Sequence, residues 1–149
     1  MKILIVEDQW VKANNLKSFL EKEYDGIVVD IARSYQSGLE KSFGGSYDML
    51  LLDMTLPNYD IKEGEDGGLT RMKGGQLIVE ELIEEDIPFM CAVVTQYETF
   101  DNESIDTVDN QMRILCGNKY FGYVKYNNSD DNWKLNLKKI FDDALNSNN

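Results

Sequence analysis

The feature that most constrains this chain is a fivefold alternation of short, largely apolar runs with longer segments whose apolar residues return every three or four positions. Wholly apolar runs occupy residues 3–6, 49–52 and 89–94, and runs without polar alternation suit strands buried on both faces of a parallel sheet. Residues 27–31 and 120–124 read as two further strands. Between them lie helical stripes: Ala13, Leu16 and Leu20, then Tyr35, Leu39 and Phe43, then Ile78 with Leu82 and Val79 with Ile83. Ile105, Val108, Met112 and Leu115 form a fourth stripe that Gly117 can end, and Trp133, Leu137, Ile140, Phe141 and Ala144 form a fifth.

Strands that alternate with helices in this way build βαβ units, whose right-handed crossovers put helices on both faces of the sheet. The expected fold is α/β, a flavodoxin-like three-layer α/β/α sandwich around a five-stranded parallel sheet. With 149 residues the chain fits one domain. The composition shifts only at 58–75, an extended loop where glycine and charge replace apolar residues, and again at the polar tail 146–149.

In sheets of this kind ligands bind beyond the carboxyl ends of the strands. That rule selects Glu7 and Asp8 after the first strand, Asp53 after the third, Thr95 after the fourth and Lys125 after the fifth. Any one of these alone is most simply a solvated surface group, but an acidic set with a cation and a hydroxyl at four strand ends is a site pattern. Three converging carboxylates repel one another, and a divalent cation relieves the repulsion; all-oxygen ligands suit Mg²⁺, or Mn²⁺ in its place. Asp53 is then placed to act as a nucleophile toward a phosphoryl donor, with the Lys125 ammonium and the Thr95 hydroxyl stabilising phosphoryl oxygens.

Composition removes competing chemistries. The chain has no histidine, which excludes Ser-His-Asp and Cys-His devices and the commonest zinc and haem ligands. Its two cysteines, Cys91 and Cys116, sit beside apolar neighbours and read as reduced packing residues. Acidic residues outnumber basic ones 27 to 15, for a net charge of −12, so nucleic acid is a poor candidate partner. The N-terminal apolar run is too short for a signal peptide, and no stretch of about eighteen apolar residues exists, so a cytoplasmic protein without membrane insertion is expected.

At these residues the chain resembles the bacterial response-regulator receiver family, in its stand-alone, chemotaxis-regulator-like form. The resemblance rests on Lys-Ile-Leu-Ile-Val-Glu-Asp-Gln at the start, Asp-Met-Leu-Leu-Leu-Asp-Met-Thr-Leu-Pro around Asp53, Val-Val-Thr ending at Thr95 and Tyr-Val-Lys ending at Lys125. It implies that Asp8 binds the metal directly, that Glu7 mainly orients water, and that Thr55 contributes its backbone carbonyl. It also implies phosphorylation of Asp53 by a histidine kinase or phosphotransfer protein. The expected output is a changed surface on the fourth helix, fifth strand and fifth helix, read by a downstream protein or used for homodimerisation. Tyr123 is the favoured switch aromatic on the fifth strand, with Phe121 on the other side of Gly122.

Several positions depart from the family pattern. The 58–75 link is long, with Gly74-Gly75 standing for the glycine before the third helix. Gln96 replaces a small residue and is expected to narrow access to Asp53. Tyr126 replaces a proline, and a cis bond before a non-proline residue costs about 2.5–4 kcal/mol, so whether the usual cis bond forms there is left open by the sequence. These departures keep open a receiver-fold binding module not controlled by phosphorylation. A phosphatase is disfavoured by Thr55, which stands where a second acid is needed, and a flavodoxin by the acids after the first strand.

Overall fold

The computed structural model describes residues 1–97, 99–100 and 102–147. Asn148 and Asn149 of the expected polar tail lie outside the described residues. Five parallel strands, β1 (Lys2–Val6), β2 (Val28–Ala32), β3 (Met49–Leu52), β4 (Met90–Thr95) and β5 (Tyr120–Lys125), are ordered β2-β1-β3-β4-β5 across one sheet. The intervening helices are α1 (Trp10–Glu23), α2 (Tyr35–Gly44), α3 (Gly74–Glu84), α4 (Ile105–Cys116) and α5 (Asn132–Ser147).

Because side chains alternate across a strand, the apolar runs divide into two cores. Ile3, Ile5, Met49, Leu51, Ala92 and Val94 pack on one face with α1 and α5 residues such as Leu16, Leu20, Leu137 and Phe141. Leu4, Val6, Leu50, Leu52, Cys91 and Val93 pack on the other with Ile78, Leu82, Val108 and Met112. This is the expected three-layer sandwich, and it explains why residues 3–6 and 49–52 carry no polar side chain. Both cysteines are free thiols, and no described helix is long and apolar enough to cross a membrane.

Local chemistry sets the helix ends. Ser34 and Ser37 form a reciprocal capping box at the start of α2. The Ser104 hydroxyl accepts from the Thr107 amide at the start of α4, and Gly117, with φ +59°, follows its end. The long 58–75 segment is partly ordered: Leu56–Pro57 pairs antiparallel with Thr70–Arg71. Its outer part is tied to α2, where the Gln36 amide donates to the Asn58 carbonyl at 3.0 Å and the Ser37 hydroxyl donates to Asp60 Oδ1 at 2.7 Å.

Candidate functional site

Backbone pairing brings the acids together. The β1–β2 ladder runs one step past Val6, with the Glu7 amide donating to the Ala32 carbonyl at 2.9 Å. The Asp53 amide donates in turn to the Val6 carbonyl at 3.0 Å, so the ends of β1 and β3 stay side by side. One oxygen from each of Glu7, Asp8 and Asp53 then lies within 4.8 Å of the others. Asp53 is 4% exposed and Glu7 1%. The Met54 amide holds Asp53 Oδ1 at 2.9 Å, and the Gln9 amide holds Glu7 Oε1 at 3.0 Å.

A cation that the strand-end rule did not select completes the cluster. Lys12, in the first turn of α1, is 1% exposed. Its ammonium lies 2.5 Å from Glu7 Oε2 and 3.6 Å from Asp53 Oδ2, and donates to the Val94 carbonyl at 2.8 Å. The contact with Glu7 is an ion contact lying off hydrogen-bond directions, so Glu7 Oε2 is buried without a directed donor. Burial, and then the charge of Asp53, push the Glu7 carboxyl up to about 7, against the pull of Lys12. Asp8 is raised by burial and by Glu7, and Asp53 by burial, opposed by Lys12.

Three carboxylates and one ammonium leave a formal charge of −3 + 1 = −2. One divalent cation neutralises that remainder, and hard oxygen donors with an unbonded buried lone pair are the ligand set Mg²⁺ or Mn²⁺ prefers. The residues present therefore fit such an ion.

No family model matches the chain. A curated relative, the Detocs response regulatory protein DtcB of Enterobacter cloacae, is 30% identical over 147 residues, covering 94% of this chain and 98% of its own length. The chain belongs to the response-regulator receiver family. Solved receiver structures share the fold: a CheY-like receiver domain from Methanospirillum hungatei superposes with a TM-score of 0.63 at 22% identity, covering 97% of this chain and 94% of that one. The response regulator TrrA from Thermotoga maritima, solved in complex with Mg²⁺ and BeF, gives a TM-score of 0.57 at 24% identity, covering 93% and 97% of the two chains.

The other expected receiver positions fall around this cluster. Thr95 is fully buried, and its hydroxyl oxygen accepts from the Tyr97 amide at 3.1 Å. Lys125 is its register partner on β5 but is exposed. Thr55 is half-buried, and its hydroxyl donates to the Met72 carbonyl at 3.3 Å. Gly75 packs so closely that a Cβ there would lie 2.4 Å from the Asp53 carbonyl oxygen, which explains the glycine at the start of α3.

Gln96 donates to Gln9 Oε1 at 2.7 Å. Since β3 lies between β1 and β4, this amide bridge joins residues on either side of the strand that carries Asp53. Tyr126 is buried and trans, as no described peptide is cis. Its ring packs on Trp133 at 5.1 Å with Lys12 Nζ 5.8 Å from its centroid. Tyr123 is half-buried and donates to Asp106 Oδ1 on α4 at 3.2 Å. A signal for Lys12 was present in the sequence: it lies about one turn before Leu16 and two before Leu20, on the stripe that enters the core.

Proposed function

We propose that this receiver accepts a phosphoryl group on Asp53 from a histidine kinase or phosphotransfer protein, in a reaction requiring Mg²⁺ or Mn²⁺, and signals by altered protein binding. The observation that carries the reading is the buried Asp53 carboxylate at the tip of β3, within 4.8 Å of Glu7 and Asp8. Asp8, Asp53 and the Thr55 carbonyl would hold a divalent cation, with Glu7 orienting water, and the bound ion would supply charge neutralisation for the incoming phosphoryl group. TrrA, solved with Mg²⁺ and BeF, supports that choice of metal by likeness.

An Asp53 oxygen attacks the phosphorus of a phosphohistidine; the new O–P bond forms as the P–N bond breaks, and the released imidazole takes up a proton. The Thr95 hydroxyl, whose oxygen already accepts from Tyr97, keeps its own proton to donate to a phosphoryl oxygen. Lys125, beside Thr95 in register, neutralises another. Movement of Thr95 toward the phosphoryl group repacks Tyr123 and loosens its bond to Asp106, altering the α4–β5–α5 face for a downstream protein or a second copy.

One observation favours a second reading, a binding module indifferent to phosphorylation: Lys12 partly neutralises the acids from within the chain. Intact-mass measurement after incubation with Mg²⁺ and acetyl phosphate, or with phosphorylated kinases, separates the two. The first reading expects one phosphoryl adduct on the wild type and none on Asp53→Asn; no adduct with any donor favours the second.

A further inference from the structure

We infer that Lys12 is the resident counter-ion of the carboxylate pocket, holding Glu7 and Asp53 in the metal-free protein and setting how weakly the pocket takes a divalent cation. The metal half of this statement deepens the proposed function and rests on it, whereas the metal-free half rests on the geometry alone.

Lys12 is badly placed for an ordinary structural lysine. It lies in the first turn of α1, where the exposed amides and the helix dipole disfavour positive charge. It is also buried, where an ammonium costs far more than in water unless it is paired and hydrogen-bonded. What offsets both penalties is the pocket: the Val94 carbonyl at 2.8 Å, Glu7 Oε2 at 2.5 Å and Asp53 Oδ2 at 3.6 Å. The face of the Tyr126 ring, 5.8 Å away, adds a further favourable field.

Tyr126 is itself clamped, receiving a hydrogen bond from Asn15 Nδ2 at 2.8 Å and donating to Asn128 Oδ1 at 2.5 Å. The residue that departs from the receiver pattern after Lys125 thus borders the ammonium that lies among the acids. Two of the three carboxylates that could ligate a metal are therefore already in contact with a fixed cation. A divalent ion entering the cluster must share Glu7 and Asp53 with Lys12 and experience its repulsion.

Two measurements on the full chain decide the matter. The first is calorimetric titration with MgCl₂ of the wild type and Lys12→Met; removal of the ammonium is expected to lower the Mg²⁺ dissociation constant by about tenfold or more. The second is a thermal-denaturation cycle in EDTA with Glu7→Gln, Lys12→Met and the double variant. Lys12→Met is expected to lose about 10 °C, and much less when Glu7 is already Gln, because the carboxylate it leaves unpaired is gone.

An unchanged or weaker Mg²⁺ affinity in Lys12→Met overturns the metal half, and additive losses in the cycle overturn the counter-ion role, leaving Lys12 as packing only. If neither protein binds Mg²⁺, the metal in the proposed function fails, and the cycle in EDTA still decides the role of Lys12. Should Lys12→Met not fold, Lys12→Gln, which keeps a donor without the charge, replaces it in both experiments.

Discussion

The corner where β1 meets α1 and the corner where β5 leads to α5 each deliver a lysine toward the same rim of the sheet, with opposite results. Lys12 is buried among carboxylates, whereas Lys125 stays at the surface. The difference lies in how each is carried. Lys125 ends a strand at the last ladder position, opposite Thr95, and is exposed there. Lys12 rides on the inward stripe of a helix, so α1 docking against the sheet forces its stem into the core and its ammonium under the strand ends. Being near an acidic site in sequence logic is thus a different matter from being desolvated with it.

The comparison breaks first at stability. In metal-free protein, Lys12→Met is expected to cost about 3–5 kcal/mol, the usual penalty for orphaning a buried charge, and Lys125→Ala no more than about 1 kcal/mol. Urea denaturation of the two variants checks this; equal losses would erase the distinction between the corners.

Next comes pH. Glu7 binds its proton more tightly folded than unfolded, with its carboxyl raised from 4.5 to about 7 mainly by burial. Its contribution is therefore present below about pH 4.5 and lost as the pH rises through about 7, a change of about 3 kcal/mol. Asp8 and Asp53 are raised in the same direction. Denaturation in EDTA across that window should show stability falling, and Glu7→Gln should flatten the slope; a wild type that gains stability over the same range would contradict it.

Smaller effects sharpen the picture at the edges of the pocket. Gly75→Ala forces a Cβ to within 2.4 Å of the Asp53 carbonyl oxygen unless the backbone moves, so a loss of about 2 kcal/mol is expected by urea denaturation. Tyr126→Phe keeps the ring beside Lys12 but removes the hydroxyl that joins Asn15 and Asn128. It should cost about 1 kcal/mol and leave Mg²⁺ affinity near the wild-type value by calorimetry.

Much of the architecture was legible because burial on both faces leaves a plain mark. A strand such as Ile3-Leu4-Ile5-Val6, which feeds Ile3 and Ile5 to one core and Leu4 and Val6 to the other, can carry no polar position. The stripe ending in Phe141 and Ala144 likewise had only one face to bury. Glu7, Asp8 and Asp53 were legible as a cluster because parallel strands end at one rim. The order inside 58–75 was not legible: the pairing of Leu56–Pro57 with Thr70–Arg71 and the anchoring of Asp60 on Ser37 join residues of no marked propensity.

By itself, the sequence determined the layer architecture, the five-stranded parallel sheet and the acids at its rim, since these follow from hydrophobic periodicity and from the rule that parallel strands end together. Only the tertiary structure decided which cation meets those acids. Lys12 and the Val94 carbonyl it binds are 82 positions apart, and their meeting depends on the rotation and depth of α1 on the sheet. The spacing of Lys12 with Leu16 and Leu20 puts it on the inward stripe, but how deep that stripe sinks and what its first residue meets are set by the whole set of side chains packed beneath the helix.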